Sequence, residues 1–182
     1  MIAAGYMAKK VEQAPDWLNT AIVDDIYSVS ACISDDFADY INYWQHNGYW
    51  LFDNPEVIRQ VAKHNALKLN DTTLFYYEVY DYQFNDSAKT WESFDPEPSF
   101  ALDVEKPLSA QLEGFDVVSF SGGTSPECSP LSCNNLAREI RTNSHCLLSS
   151  LEEARGLLEK GYFVKCEPGP YRIFAVFRLE WP

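Results

Sequence analysis

Near the C-terminus, Tyr171, Ile173, Ala175, Phe177, Leu179 and Trp181 alternate with Arg172, Phe174, Val176, Arg178 and Glu180. A period of two held over that length is a β-strand, and so long a strand at the end of a chain pairs inside a sheet. The segments ahead of it do not alternate strictly between strand and helix. The expected class is therefore α+β, with a mainly antiparallel sheet and helices packed on one side, rather than a doubly wound fold.

The other elements are read from local signals. Ser34 with Asp35 and Asp36 predicts a helix over residues 35–46, with Phe37, Ile41 and Trp44 facing the core and Asp35, Asp39, Asn42 and His46 opposite. Asn47-Gly48 stops it. Asn54 caps a second helix with Pro55 at its first position, where a missing N–H costs nothing, and Val57, Ile58, Val61 and Ala62 form its buried stripe. The run Thr73–Phe84, the loop at Asn85, Asp86 and Ser87, and then Thr90–Phe94 predict a β-hairpin. Phe115–Phe120 is a short strand. Ser149 and Ser150, each followed three residues on by a glutamate, predict a capped helix ending at Lys160 before Gly161. A further short helix is expected over Asn134–Ile140.

With 182 residues and 46% apolar content, the chain is read as one domain, 1–182, able to bury a core without metal or disulfide staples. The proline-bearing stretch from Asp95 to Pro107 is the best internal boundary. No segment has the apolar length of a membrane span. Met1 to Tyr6 is too short for a signal-peptide core, so a cytoplasmic location is expected. Met7 is read as an alternative start, with the first six residues a weakly ordered extension.

Charge is regional. Residues 1–105 carry 18 Asp plus Glu against 6 Lys plus Arg and hold 19 of the 27 aromatic residues, whereas residues 106–182 carry 9 against 8. An acidic, aromatic-rich front part (1–105) and a near-neutral, cysteine-containing rear part (106–182) disfavour direct binding of nucleic acid or an anionic membrane and favour a basic protein partner. Asp35, Asp36, Asp39, Tyr43, His46, Trp50 and Asp53 are the candidate partner-binding residues, with carboxylates steering and aromatics anchoring.

The five cysteines are read first as buried small hydrophobes, and no cofactor is expected. Cys128, Cys133, Cys146 and Cys166 are the candidate ligands if a zinc ion is held, although the spacing lacks the usual pair of tight knuckles. Cys133 is the best-placed nucleophile, at the start of the expected helix at Asn134. His145 adjoins Cys146, but neighbours on an extended chain point apart. Glu78, between Tyr76 and Tyr80 on one strand face, is a candidate acid whose simpler reading is an ion pair with Arg172 or Arg178. Ser121-Gly122-Gly123-Thr124 lacks the Lys-Ser/Thr ending of a phosphate loop and is read as a turn.

The segments ECSPLSCNN and CEPGPYRI resemble an uncharacterised bacterial protein family, over mainly residues 115–182. The resemblance implies a bacterial or phage origin and no activity, cofactor or site. The functional expectation is thus a non-enzymatic inhibitor that neutralises a basic nuclease or nucleic-acid-binding protein, such as an immunity protein or phage anti-defence inhibitor. The alternatives are a small enzyme using Cys133 or Glu78, or a zinc-stabilised binding module.

Overall fold

The computed structural model describes residues 1–18, 20–33, 49–94, 104–121 and 126–181. Among them β8 (Tyr171–Leu179) is the central strand of a six-stranded sheet. On one edge it pairs antiparallel with β4 (Thr73–Val79), and on the other with β7 (Gln111–Ser119). β1 (Ile2–Lys9) lies outside β4. The hairpin of β5 (Tyr82–Asn85) and β6 (Thr90–Ser93) joins β8 through Phe84 opposite Tyr171. A separate two-stranded ladder pairs β2 (Glu12–Gln13) with β3 (Asp25–Ile26). The class is α+β with a mainly antiparallel sheet, as the lack of strict strand–helix alternation predicts. β8 can occupy the middle because both of its faces are apolar where it is paired: Ile173, Phe174, Ala175 and Val176 are all buried.

The N-terminal expectation is corrected. Residues 2–9 are a paired strand whose last six residues are buried, because small Ala4 and Ala8, with Tyr6 and Met7, fit between β4 and the segment carrying Phe52. Tyr6 and Phe52 exchange both backbone hydrogen bonds, at 2.7 and 2.9 Å. The run read as one long strand from Thr73 to Phe84 divides at Tyr80–Asp81, where the Tyr80 N–H turns to the Ile173 carbonyl; the hairpin proper is β5–β6. β7 begins four residues earlier than predicted and carries a bulge between Leu112 and Gly114.

Helix α1 (Pro55–His64) follows its signals: the Asn54 side chain accepts from the Val57 N–H at 3.0 Å, and Val57, Ile58, Val61 and Ala62 are buried. In α3 (Leu151–Glu159) Ser150 caps the Glu153 N–H, while the Glu153 carboxylate takes the Ser149 N–H and hydroxyl. The predicted helix over 35–46 lies outside the described residues. Among the described residues no helix is long and apolar enough to cross a membrane.

Candidate metal centre

The centre is assembled around two buried charges. Lys9, the last residue of β1, is 2% exposed, and its Nζ donates to the carbonyls of Ser28, Val29 and Ser30, each at 2.8 Å. An ammonium has three donors, so this turn of chain is wrapped on a single cation. From β7, Asp116 Oδ2 accepts from the Val29 N–H at 2.8 Å and from the Ser129 hydroxyl at 2.6 Å. The Ser129 Oγ in turn accepts from the Ser30 N–H at 3.2 Å. Upstream, the backbone of Asp24, Asp25 and Tyr27 is tied to the carbonyls of Ser144 and His145, and the Tyr27 ring stacks on the His145 ring at 4.1 Å. Residues 24–30 are therefore held from three directions, and Cys32 follows two positions later.

The other two cysteines come from the rear part. Cys128 is fixed at the outer edge of β7, where its carbonyl accepts from the Ser119 N–H at 2.8 Å. Ser129-Pro130 then starts the single helical turn α2 (Pro130–Cys133), which ends on Cys133. The sulfurs of Cys32, Cys128 and Cys133 all lie within 4.8 Å of one another, with Cys32 exposed, Cys133 half-buried and Cys128 buried. Around them, Asn134 Oδ1 and Glu167 Oε2 each lie 3.4 Å from Cys128 Sγ as alternative acceptors for its one proton, and Ser30 Oγ lies 3.8 Å from Cys133 Sγ.

Three clustered thiols do not titrate alike. The Cys32 thiol is held below its ordinary range because Cys128, Cys133 and Ser30 are placed to donate to its sulfur. A contact of 2.9 Å with the Glu127 carbonyl, to which a protonated Cys32 donates, opposes this. Cys128 is pushed far up, by its donation to Cys133 and Cys32 and then by burial. For Cys133 the Cys128 donor pulls down, but donation to Cys32, burial and the charge on Cys32 outweigh it and leave the thiol at about 11.

Asp116 is pushed up to about 6 by burial, against the opposing pull of the Ser129 hydroxyl, the Val29 N–H and the Lys9 charge. Unfolded aspartate titrates near pH ~4. Between these values the folded chain holds more protons than the unfolded chain, so this group's contribution is fullest below about pH 4 and is lost as pH rises through about 6. Urea unfolding of wild type and Asp116→Asn checks it: the wild type should lose stability relative to the variant as pH rises from about 4 to about 7. A difference that does not change with pH would contradict the assignment.

Of the candidate residues read from sequence, Cys128 and Cys133 meet, while Cys146 and Cys166 are not part of the cluster. Cys146 is buried and pushed up to about 12 by that burial; Cys166 is raised to about 11, first by burial and then by Glu167. The expected position of Cys133 ahead of a helix N-terminus is corrected: it is the last residue of α2, at the carbonyl end, and the segment beyond is a 3₁₀ turn over Leu136–Arg138. The expected pairing of Glu78 with Arg172 or Arg178 is also corrected. Glu78 stands opposite Ala175 in the ladder, so it shares the odd-numbered face of β8 while both arginines point the other way, and it pairs with Lys106 at 2.7 Å. Arg172 is instead buried between the rings of Phe94 and Phe120.

His145 turns to Asp25, 2.5 Å away, and not to Cys146. Trp50 is half-buried against the core, and Asp53 is buried. Asp35, Asp36, Asp39, Tyr43 and His46 lie outside the described residues, as does most of the Ser121–Thr124 turn. Sequence reasoning missed Cys32, for which no spacing rule exists because its partners stand about a hundred positions downstream; the backbone tie from Ser30 to Ser129 spans 99 residues. Comparison of the chain with protein-family models, with curated proteins and with solved structures found no match.

Proposed function

We propose that the chain binds a thiophilic divalent cation, with zinc as the reference ion, through Cys32, Cys128 and Cys133. The observation that carries the reading is the convergence of three sulfurs from two remote segments on one point, braced by a buried ion network. Zinc–thiolate bonds of about 2.3 Å place tetrahedral sulfurs about 3.8 Å apart, so the cluster closes on an ion by movements of about 1 Å or less. Soft thiolates also discriminate against magnesium and calcium. The cation substitutes for the protons the thiols otherwise share, which relieves the conflict among them. Among the described residues three protein ligands gather, which leaves a fourth position of the tetrahedron for a further ligand, the pattern of a centre that meets an external group.

Equilibrium dialysis of reduced full-length chain against zinc should give one ion per chain. Cobalt substitution should give sulfur-to-cobalt charge-transfer absorption. Serine at position 32, 128 or 133 should each weaken uptake by at least about tenfold, whereas Cys146→Ser and Cys166→Ser should leave it unchanged. Equal uptake by all five variants would end the reading.

Capture of a basic partner by the acidic front part is the second proposal. Asp25, Glu78 and Asp81 are paired with His145, Lys106 and the Met1 amino group, and Asp53 is buried. Of the other candidate partner-binding residues, Trp50 is half-buried, and Asp35, Asp36, Asp39, Tyr43 and His46 lie outside the described residues. The thiol centre is what the geometry supports best.

A further inference from the structure

We propose that the metal-free centre is also a hydroperoxide-reactive thiol pair, in which Cys32 takes the oxygen and Cys133 closes a Cys32–Cys133 disulfide. The proposal uses the same three sulfurs but needs no bound metal. It goes beyond ion binding to a second activity of the cluster, and each can fail without the other.

The three cysteines are differentiated by position. Cys32 is exposed, on the bend at residues 31–33 beyond the anchored turn at Ser28–Ser30, so an oxidant reaches its sulfur and its backbone can shift without breaking a sheet or helix. Its sulfur lies within 4.8 Å of those of Cys128 and Cys133, and a thiolate there is the attacking nucleophile. Cys128 is buried, and its sulfur is engaged by Asn134 Oδ1 and Glu167 Oε2, each 3.4 Å away. Cys133 is half-buried, less shielded than Cys128, with Ser30 Oγ 3.8 Å and Ser132 Oγ 4.0 Å from its sulfur. It is therefore the resolving thiol. The sulfurs start within 4.8 Å and must close to about 2.05 Å, a movement the bend at Cys32 supplies.

The chemistry balances in two steps. The Cys32 thiolate attacks the terminal oxygen of a hydroperoxide, forming an S–O bond and breaking the O–O bond. The alkoxide or hydroxide that leaves takes a proton from water, and Cys32 becomes a sulfenic acid. The Cys133 sulfur then attacks the Cys32 sulfur; the S–S bond forms, the S–O bond breaks, and the departing hydroxide carries off the Cys133 proton as water. Two thiols are oxidised by two electrons, and one peroxide is reduced to an alcohol and water.

The test uses full-length chain stripped of metal with a chelator, treated with one equivalent of hydrogen peroxide, quenched with maleimide and mapped by mass spectrometry. No lysine or arginine separates Cys128 from Cys133, so the variants assign the partner. The expected result is a cross-link from Cys32 in wild type and in Cys128→Ser, none in Cys133→Ser, and thiol loss slowed at least about tenfold in Cys32→Ser. Circular dichroism of each variant confirms that it is folded, and Cys32→Ala serves if the serine does not fold. A cross-link that persists in Cys133→Ser, or five thiols that oxidise at equal rates, would overturn the proposal. Zinc analysis on the same preparations is scored separately: oxidation as described without zinc uptake refutes only the metal reading, and zinc uptake without the cross-link refutes only this one.

Discussion

Lys9→Met should cost about 3–5 kcal/mol of folding stability, the range for breaking a buried charge network from one side. The methionine keeps most of the stem's volume and removes the ammonium, leaving the carbonyls of Ser28, Val29 and Ser30 without their shared donor and Asp116 without its nearest cation. The Ser30 carbonyl keeps the Ser28 hydroxyl at 3.1 Å, and losing the lysine at the other two costs on the order of 1–3 kcal/mol each, which is consistent with that total. Urea unfolding monitored by tryptophan fluorescence gives the number. The same variant should also lose zinc uptake, since the turn that presents Cys32 is no longer held. A loss below about 1 kcal/mol would show that the network is not what braces this corner of the fold.

Gly114→Ala should be nearly as damaging, by about 3–5 kcal/mol, for reasons of space and backbone together. Gly114 sits at the β7 bulge with φ +153°, and an added Cβ would lie 2.7 Å from both the Leu147 Cβ and the Leu148 carbonyl oxygen. The segment it would displace is pinned to β7 by two hydrogen bonds between Phe115 and Leu148, each 2.9 Å. The backbone oxygen cannot yield without breaking that pair, so β7 and the 147–148 segment must part. Thermal unfolding together with exchange of the Phe115 and Leu148 amides tests this. Unchanged protection of both amides would contradict it.

The parts of this architecture that sequence discloses are those whose cause is local. β8 is legible because its alternation runs through nine paired residues, and α1 because Asn54 and Pro55 are start signals that need no tertiary help. β1 was obscured by its composition: Ala3, Ala4, Gly5 and Ala8 have weak strand propensity, and a lysine closing a buried strand reads as a surface boundary. The direction of the helix near Cys133 is present in the chain, since Ser129-Pro130 is a start signal ahead of the one at Asn134. The thiol centre was half legible. Cys128 and Cys133 stand together in sequence, but Cys32 joins them only through a buried lysine and aspartate whose purpose no periodicity reveals. For Glu78 the strand is legible, but the ladder register, which decides which face meets which, is set by tertiary pairing.

The long sequence separation inside the centre also orders events in time. The hydrogen bond from Ser30 to Ser129 and the contact from Ser30 to Cys133 span 99 and 103 residues, and both depend on β1 having delivered Lys9 from the opposite end of the sheet. Contacts of such high order form late, after the loops that separate them have been closed at their entropic cost. A compact zinc knuckle gathers its ligands from a few adjacent residues and lets the ion nucleate the domain. Here the cage exists only once the strands have been threaded into register. Ion capture would therefore trail refolding as its final, slow signal, making it a reporter of completed assembly instead of its trigger.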